Sequence, residues 1–400
     1  MSESVSPGEA ERTRRTILIL SVCGFASALS TRFVDPMIGV IARDLAADPL
    51  TVALLSTAYA LPYALIQPVL GPFGDAVGKE LVVKVLLIAL AIVLLAASLT
   101  TDLTALFVLR VLSGAAAGGI IPIALATIGD RVAAMGERQV AIGRFLTATI
   151  SGQLLGGVGS GALAGVISWR GVFAVAAGIS AVAAVAVLLG FRSANAARGE
   201  FSLRIALDRY RRILGIPRAL ALMAFVFAEG VLVFGVQPYI APLLERDGLG
   251  GATEAGLIIG GFAIGGIIYT LIVRWLLATL GLPRMLRTAG LIAALAFGAL
   301  APGLPWGFQA AAMVVVGAGF YMLHNSFQTQ ITEVVPDARA SAVSMHAFSF
   351  FIGQALGPVT YGLLLGTIDR GGAMLVCGAG LLVLGLVAAT VLREAYPRAR

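Results

Sequence analysis

Runs of about 20 apolar residues recur along this chain, parted by short polar connections. A helix of that length crosses the hydrocarbon layer of a bilayer at 1.5 Å per residue. Twelve such spans are predicted, at roughly 16–42, 50–70, 82–99, 104–128, 144–167, 171–191, 218–244, 253–277, 286–304, 306–330, 340–366 and 371–392. Spans 3, 6, 9 and 12 are almost pure Ala, Val, Leu, Ile and Gly at their centres, as in Val85–Leu95 and Phe173–Leu189. Side chains ill suited to lipid fall elsewhere. Span 1 carries Arg32 and Asp35, span 4 Arg110, and span 7 Glu229 and Gln237. Span 10 carries His324, Asn325 and Gln328, and span 11 His346 and Gln354. Helices around a water-filled path tolerate such residues, whereas lipid-facing ones do not. The pattern predicts four three-helix units. Spans 1, 4, 7 and 10 surround a central path, spans 2, 5, 8 and 11 complete its wall, and the greasy third helices face lipid.

The chain also repeats itself. Residues 152–161 read Gly-Gln-Leu-Leu-Gly-Gly-Val-Gly-Ser-Gly, and residues 353–362 read Gly-Gln-Ala-Leu-Gly-Pro-Val-Thr-Tyr-Gly. At the same offset Arg138 answers Arg339, Ala141 answers Ala342, and Ile142 answers Val343; Asp35-Pro36 answers Gln237-Pro238 one residue further on. The expected fold is an all-α polytopic membrane protein of two pseudo-symmetric six-helix halves, 16–191 and 218–392. Tails of 1–15 and 393–400 flank them, and 192–217 joins them. Two copies of one membrane unit are the construction of a carrier whose halves rock against each other.

Composition agrees: 59% of residues are hydrophobic and 12% charged, with a mean hydropathy of +0.96. A soluble chain carries about a quarter charged residues. The net charge of +7 does not indicate nucleic acid, because the basic residues sit in connections between apolar spans and not on one soluble face. With the N-terminus inside, 22 of the 28 Lys and Arg fall on the cytoplasmic side, so both termini are predicted to be cytoplasmic, in a cell membrane such as a bacterial inner membrane. Cys23 and Cys377 lie in different spans and make no disulfide or zinc pattern. No small-residue cleavage site follows the first apolar run, which reads as an uncleaved span. In the joining segment Phe201, Leu203, Ile205, Leu207, Ile213 and Leu214 alternate with Arg204, Arg209, Arg211 and Arg212. Both an amphipathic helix on the inner leaflet and a plain tether fit this pattern.

Depth brings out the candidate chemistry. Asp35 lies roughly 10 Å, and Arg110 roughly 9 Å, below the outer end of their spans. A charge in hydrocarbon costs several kcal/mol, so each needs a partner. Asp35 can pair with Arg110 or with Arg32, one turn away. An ion pair that forms and separates during a transport cycle would load and release one proton. Glu229, near mid-depth, can carry a proton or meet a cationic substrate. His324 and His346 share a level in the inner half; with no Cys or acidic cluster joining them, no metal site is expected. Tyr59, Tyr63, Phe145, Phe320, Tyr321, Phe348 and Phe351, with the polar Gln153, Gln237, His324, Asn325, His346 and Gln354, are candidate walls of a cavity for an organic molecule. The glycines of spans 5 and 11 (Gly152, Gly156, Gly161, Gly353 and Gly357, beside Pro358) permit close helix packing.

Between spans 2 and 3 the chain reads Gly71-Pro-Phe-Gly-Asp75-Ala-Val-Gly78-Lys79. This resembles the loop signature of the major facilitator superfamily, with Ala76 and Glu80 where that family usually has basic residues. Leu109-Arg110-Val-Leu-Ser-Gly114 is similar to its span-4 signature, with Ser113 for the usual glutamine. Gly152, Gly156 and Gly161 resemble the span-5 signature of its twelve-span drug–proton antiporters. The glycine-proline pair of that signature is Gly156-Gly157 here and Gly357-Pro358 in span 11. Trp169-Arg170-Gly-Val-Phe173 is also family-like. The resemblance implies proton-coupled export of small organic molecules by a monomer in lipid, with an inner gate at Gly71, Asp75, Gly78 and Lys79. Asp75 would face the start of span 11 near Ala340–Val343 in that gate. Uptake or facilitated diffusion of a metabolite, and lipid flipping, are the alternatives. No nucleophile–base set, metal cluster or nucleotide-binding loop is present in the sequence, so neither an enzyme nor a cofactor is expected.

Overall fold

The structure, a computed structural model, describes residues 7–132, 135–191, 203–334 and 339–392. Every regular element among them is a helix. The first half comprises α1 (Pro7–Arg32), α2 (Ile38–Asp44), α3 (Pro49–Ala53), α4 (Leu55–Val77), α5 (Lys79–Leu99), α6 (Leu103–Gly118), α7 (Ile120–Arg131) and α8 (Met135–Gly190). A short α9 (Leu203–Leu214) follows in the joining segment. The second half comprises α10 (Pro217–Phe234), α11 (Ile240–Arg246), α12 (Ala252–Leu300), α13 (Trp306–Val334), α14 (Arg339–Thr367) and α15 (Arg370–Val391). The first helix thus starts at Pro7, ahead of the expected edge at 16. Residues 1–6, 192–202 and 393–400 of the expected tails and joining segment lie outside the described residues.

Sequence dictates where the helices bend. Proline has no N–H to give the ladder, and at Asp35–Met37 and Gln237–Tyr239 the first helix of each half tightens into a 3-10 turn around Pro36 and Pro238. The helix α8 is 56 residues long and α12 is 49, lengths of roughly 75–85 Å against a hydrocarbon thickness of about 30 Å. Each is two helices joined at one residue off the helical path, Ser168 (φ 64°, ψ 164°) and Gly281 (φ 66°, ψ 166°).

Among the described residues, ten helical stretches are long and apolar enough to cross a membrane. The helix α5 shows why they need lipid. Leu81, Val85, Ile88, Ile92, Leu95 and Leu99 form an exposed stripe at helical spacing, while Val83, Leu87, Leu90 and Leu94 are buried behind it. Burial follows the predicted order only in part. Two thirds of the apolar window around α1 is buried and 61% for α6–α7 and for α10–α11, but α14, a predicted wall, is buried to 39%, the same as α5.

Glycine sets the closest helix contacts. Gly152 and Gly156 of α8 sit against the Phe25 and Leu29 carbonyls of α1. In the other half Gly353 and Gly357 of α14 sit against the Phe227 and Val231 carbonyls of α10. A methyl group at any of these positions would overlap backbone, so the repeated glycines mark repeated contacts. Gly161 joins the halves by lying against the Ala252 carbonyl of α12.

Candidate functional site

One end of the bundle is closed by charged clasps. Arg43 of α2 bonds Glu245 of α11 across the halves, between positions 202 residues apart, which the internal repeat relates. Gly39 leaves room for the Glu245 carboxylate. Within each half a second clasp supports the first. Asp44 accepts from the Trp169 indole at 3.1 Å and the Arg170 guanidinium at 2.6 Å. The Ser168 bend, just before them, aims both at it. Asp247 accepts from Arg246 at 2.9 Å and from Arg370, which also donates to Gln309 at 3.0 Å. Burial alone would push the Asp247 carboxyl up; the guanidinium groups of Arg246 and Arg370 outweigh it and hold the group below its ordinary value.

Beneath the clasps lies a buried polar centre. Asp35, 1% exposed, accepts from the Ser56 hydroxyl at 2.5 Å and pairs with Arg32 at 3.5 Å. Arg32 lies 4.2 Å over the Phe234 ring and also donates to Gln354 of the other half. Arg110 goes elsewhere. Its guanidinium lies 4.2 Å over Tyr59, its Nε donates to the Leu55 carbonyl at 3.4 Å, and one terminal nitrogen has no partner. The choice left open for Asp35 is thus resolved toward Arg32: one turn of helix presents the two side chains together, whereas Arg110 is drawn onto an aromatic face. Tyr59 bonds Ser30 at 2.9 Å and stacks on Tyr63, whose ring lies 4.5 Å from Phe351 across the halves. Thr31, Arg32, Ser56, Tyr59, Ala60, Tyr63, Phe351 and Gln354 enclose a cavity of about 10 Å³, room for about one water molecule.

A second centre occupies the other half. Glu229, fully buried, lies 2.9 Å from Nδ1 of His324, and the His324 and His346 rings are 5.7 Å apart. A single carboxylate, Glu229, thus joins His324, a pairing that the sequence did not indicate. Helices α10 and α13 meet at this level, and only their packing decides it. No group of three or more metal-ligating residues suited to an ion occurs among the described residues. Phe320 stacks on His324 at 5.0 Å and Phe350 lies 4.5 Å from it. Phe320 also meets Phe234 at 5.3 Å, so aromatic rings run between this centre and Arg32.

The remaining candidates spread out. Gln237 is buried with its amide nitrogen unpartnered. Gln153 is exposed, and Asn325 turns to the Tyr269 hydroxyl at 3.2 Å, on another face of α13 from the histidine. Phe348 is half-buried, Phe145 packs beneath Gly24, and Pro358 lends its carbonyl to the Tyr239 hydroxyl at 2.7 Å. At the opposite end Gly78 turns the chain with φ 109°. Lys79 there bonds Asp130 at 2.6 Å, and Glu80 bonds Arg131. Gly71 and Asp75 fall in helical backbone, but the side chain of Asp75 and that of Ala340 lie outside the described residues, as do residues 335–338. Ser56, Phe234 and Phe350 were not anticipated. Phe234 stands where the repeat places the counterpart of Arg32, and Phe350 lies one helical turn beyond His346; these were the available signals.

Comparison with known proteins agrees with this geometry. A family model described as Major Facilitator Superfamily matches residues 20–358. An uncharacterised MFS-type transporter of Bacillus subtilis is 26% identical over 62% of this chain, and the match spans 60% of that relative's length. The multidrug resistance protein 1 of Bacillus subtilis is 20% identical, with 88% of this chain and 90% of that one covered. A probable transporter of Streptomyces coelicolor is 28% identical over 93% of this chain and 86% of its own. Among solved structures, a mutant of the nucleoside transporter NupG aligns with a TM-score of 0.79 at 17% identity, covering 94% of this chain and 99% of that one. A bacterial homologue of the human lysosomal transporter Spinster aligns at 0.71 and 18% identity, covering 99% and 100%. With two pseudo-symmetric helical halves, apolar spans and a family match across most of its length, this chain is a multi-pass membrane transporter and belongs to the Major Facilitator Superfamily.

Proposed function

We propose that this protein exports small organic molecules in exchange for protons, by alternating access of one central site. The observation that carries the reading is the double engagement of Arg32, which pairs with Asp35 in its own half and donates to Gln354 in the other. One guanidinium therefore links the charge of a buried carboxylate to the contact between the halves. When Asp35 binds a proton its pull on Arg32 is lost, and the balance of contacts between the halves changes. When the halves rock and water reaches Asp35, the proton leaves and the pair re-forms. Aromatic rings from both halves, Tyr59, Tyr63, Phe320 and Phe351 among them, supply the walls for an organic substrate.

In this reading the kinked α8 and α12 each cross twice, giving twelve crossings with both termini in the cytoplasm of a bacterial inner membrane, and the clasped end faces outward. The six-helix halves are 16–191 and 218–392, Gly71, Asp75, Gly78 and Lys79 form the inner gate, and the monomer is the working unit. No cofactor takes part. The likeness to a multidrug resistance protein supports export.

Asp35→Asn should abolish flux driven by a pH gradient in proteoliposomes while the variant still inserts and melts cooperatively. Undiminished gradient-driven flux would sink the proposal. Direction is read from inside-out vesicles, where acidifying the lumen should drive the probe inward; accumulation by right-side-out vesicles instead would make the protein an importer.

A further inference from the structure

We propose that Glu229, His324 and His346 form a second proton-binding site, in the half of the molecule that does not hold Asp35, and that it loads independently of Asp35. Two unpartnered polar atoms point to a ligand. Oε2 of Glu229 lies 2.9 Å from Nδ1 of His324, with the proton on either atom; among the described residues Oε1 of Glu229 is buried and unpartnered, and so is Nε2 of His346. A buried carboxylate oxygen and a buried imidazole nitrogen without partners are costly in a finished core. Protonation of Glu229 lowers that cost, because a neutral acid is far cheaper to bury than a carboxylate.

Space argues for the same ligand. Glu229 is fully buried and His346 is 2% exposed. The small cavity lined by Arg32, Tyr59 and Gln354 is not lined by these three residues. Phe320 and Phe350 close the flank of His324. The His324 side chain, 17% exposed, is the most open of the three, a route for a proton without a substrate-sized opening.

The titratable groups presented to Glu229 can be followed helix by helix. The helix α13 presents His324, and Tyr321 beside it; α14 presents His346. The Arg32 guanidinium lies beyond Phe234 and Phe320. On α10 itself, Arg218 is bound to Gln330. On α15, Cys377 is a buried thiol and Arg370 is held by Asp247. On α9, Asp208 and Arg211 pair with each other at 3.9 Å, and Arg209 and Arg212 are exposed. No fixed cation therefore contacts Glu229 among the described residues, and one proton shared with His324 keeps the pair neutral in a low-dielectric site. Asp35 differs, since Arg32 is already its counter-ion. Among the described residues two acids of unlike character are thus buried, one per half. The inference leans on the transport reading only for the direction in which protons move.

Infrared difference spectra of the reconstituted full-length protein, recorded across pH, test this without a substrate. In Asp35→Asn, an acid C=O band that titrates should remain. Glu229→Gln should remove it, and Glu229→Asp should shift its frequency. His324→Gln should keep the band but move its midpoint by about one pH unit or more. Absence of any titrating acid band in Asp35→Asn, or the same band surviving in Glu229→Gln and unmoved in Glu229→Asp, would overturn the site. Failure of gradient-driven flux with the band intact would count against the transport reading alone.

Discussion

Arg32 shows how much one side chain can link. Its guanidinium touches an acid, an aromatic face and an amide from the opposite half, so its position reports both charge and conformation. Asp247 makes a prediction outside the membrane. Because Arg246 and Arg370 hold its carboxyl below the ordinary range despite burial, the ionised form stabilises the folded protein above the unfolded pKa of about 3.9. That contribution is lost as pH falls through the lower folded value. At neutral pH Asp247→Asn should melt below wild type, and the gap should narrow as pH falls below about 5 and close only below the lowered folded value. A gap constant with pH would show that the clasp is not electrostatic. Solvent reaches Asp247, so the effect is expected to be small.

At the scale of the helix, stability without a hydrophobic driving force between spans rests on close approach. The pairing of α1 with α8, and of α10 with α14, depends on glycines that leave backbone against backbone. Gly156→Leu should therefore cost about 1–3 kcal/mol. At Gly165, exposed on the same helix, an added Cβ meets nothing within 4 Å, and Gly165→Leu should cost little. Thermal unfolding in detergent separates them, and equal melting of the two variants would refute the packing argument. These helices and their glycines were legible in sequence because apolar length and repeated spacing are local properties. The bends were partly legible. Pro36 and Pro238 announce theirs, whereas Ser168 holds a positive φ that no residue-type signal foretells.

For the whole molecule the question is which end opens. The Arg43–Glu245 clasp joins repeat-related positions, and Thr57 and Thr253 add bonds across the halves to the Ala355 and Gly161 carbonyls. Arg43→Glu places like charges together and should populate forms opened at this end. Adding Glu245→Arg should restore closure. Spin-label distances measured across that end decide: a single variant with the wild-type distance distribution would deny the clasp its role.

From the sequence alone came the membrane setting, the two-fold repeat, the greasy third helices and the charges within the spans, though not the burial of Arg370. All of these follow from hydrophobic length and composition, which bilayer physics reads directly. Which charge meets which partner was not written there. Asp35 had two arginines within reach, and packing turned Arg110 onto Tyr59 and left Arg32 to the acid. Glu229 and His324 stand 95 residues apart, and nothing local relates them; the crossing of α10 and α13 does. Side-chain partnership depends on helix rotation to within a fraction of a turn, and only the packing of distant helices against one another sets that angle.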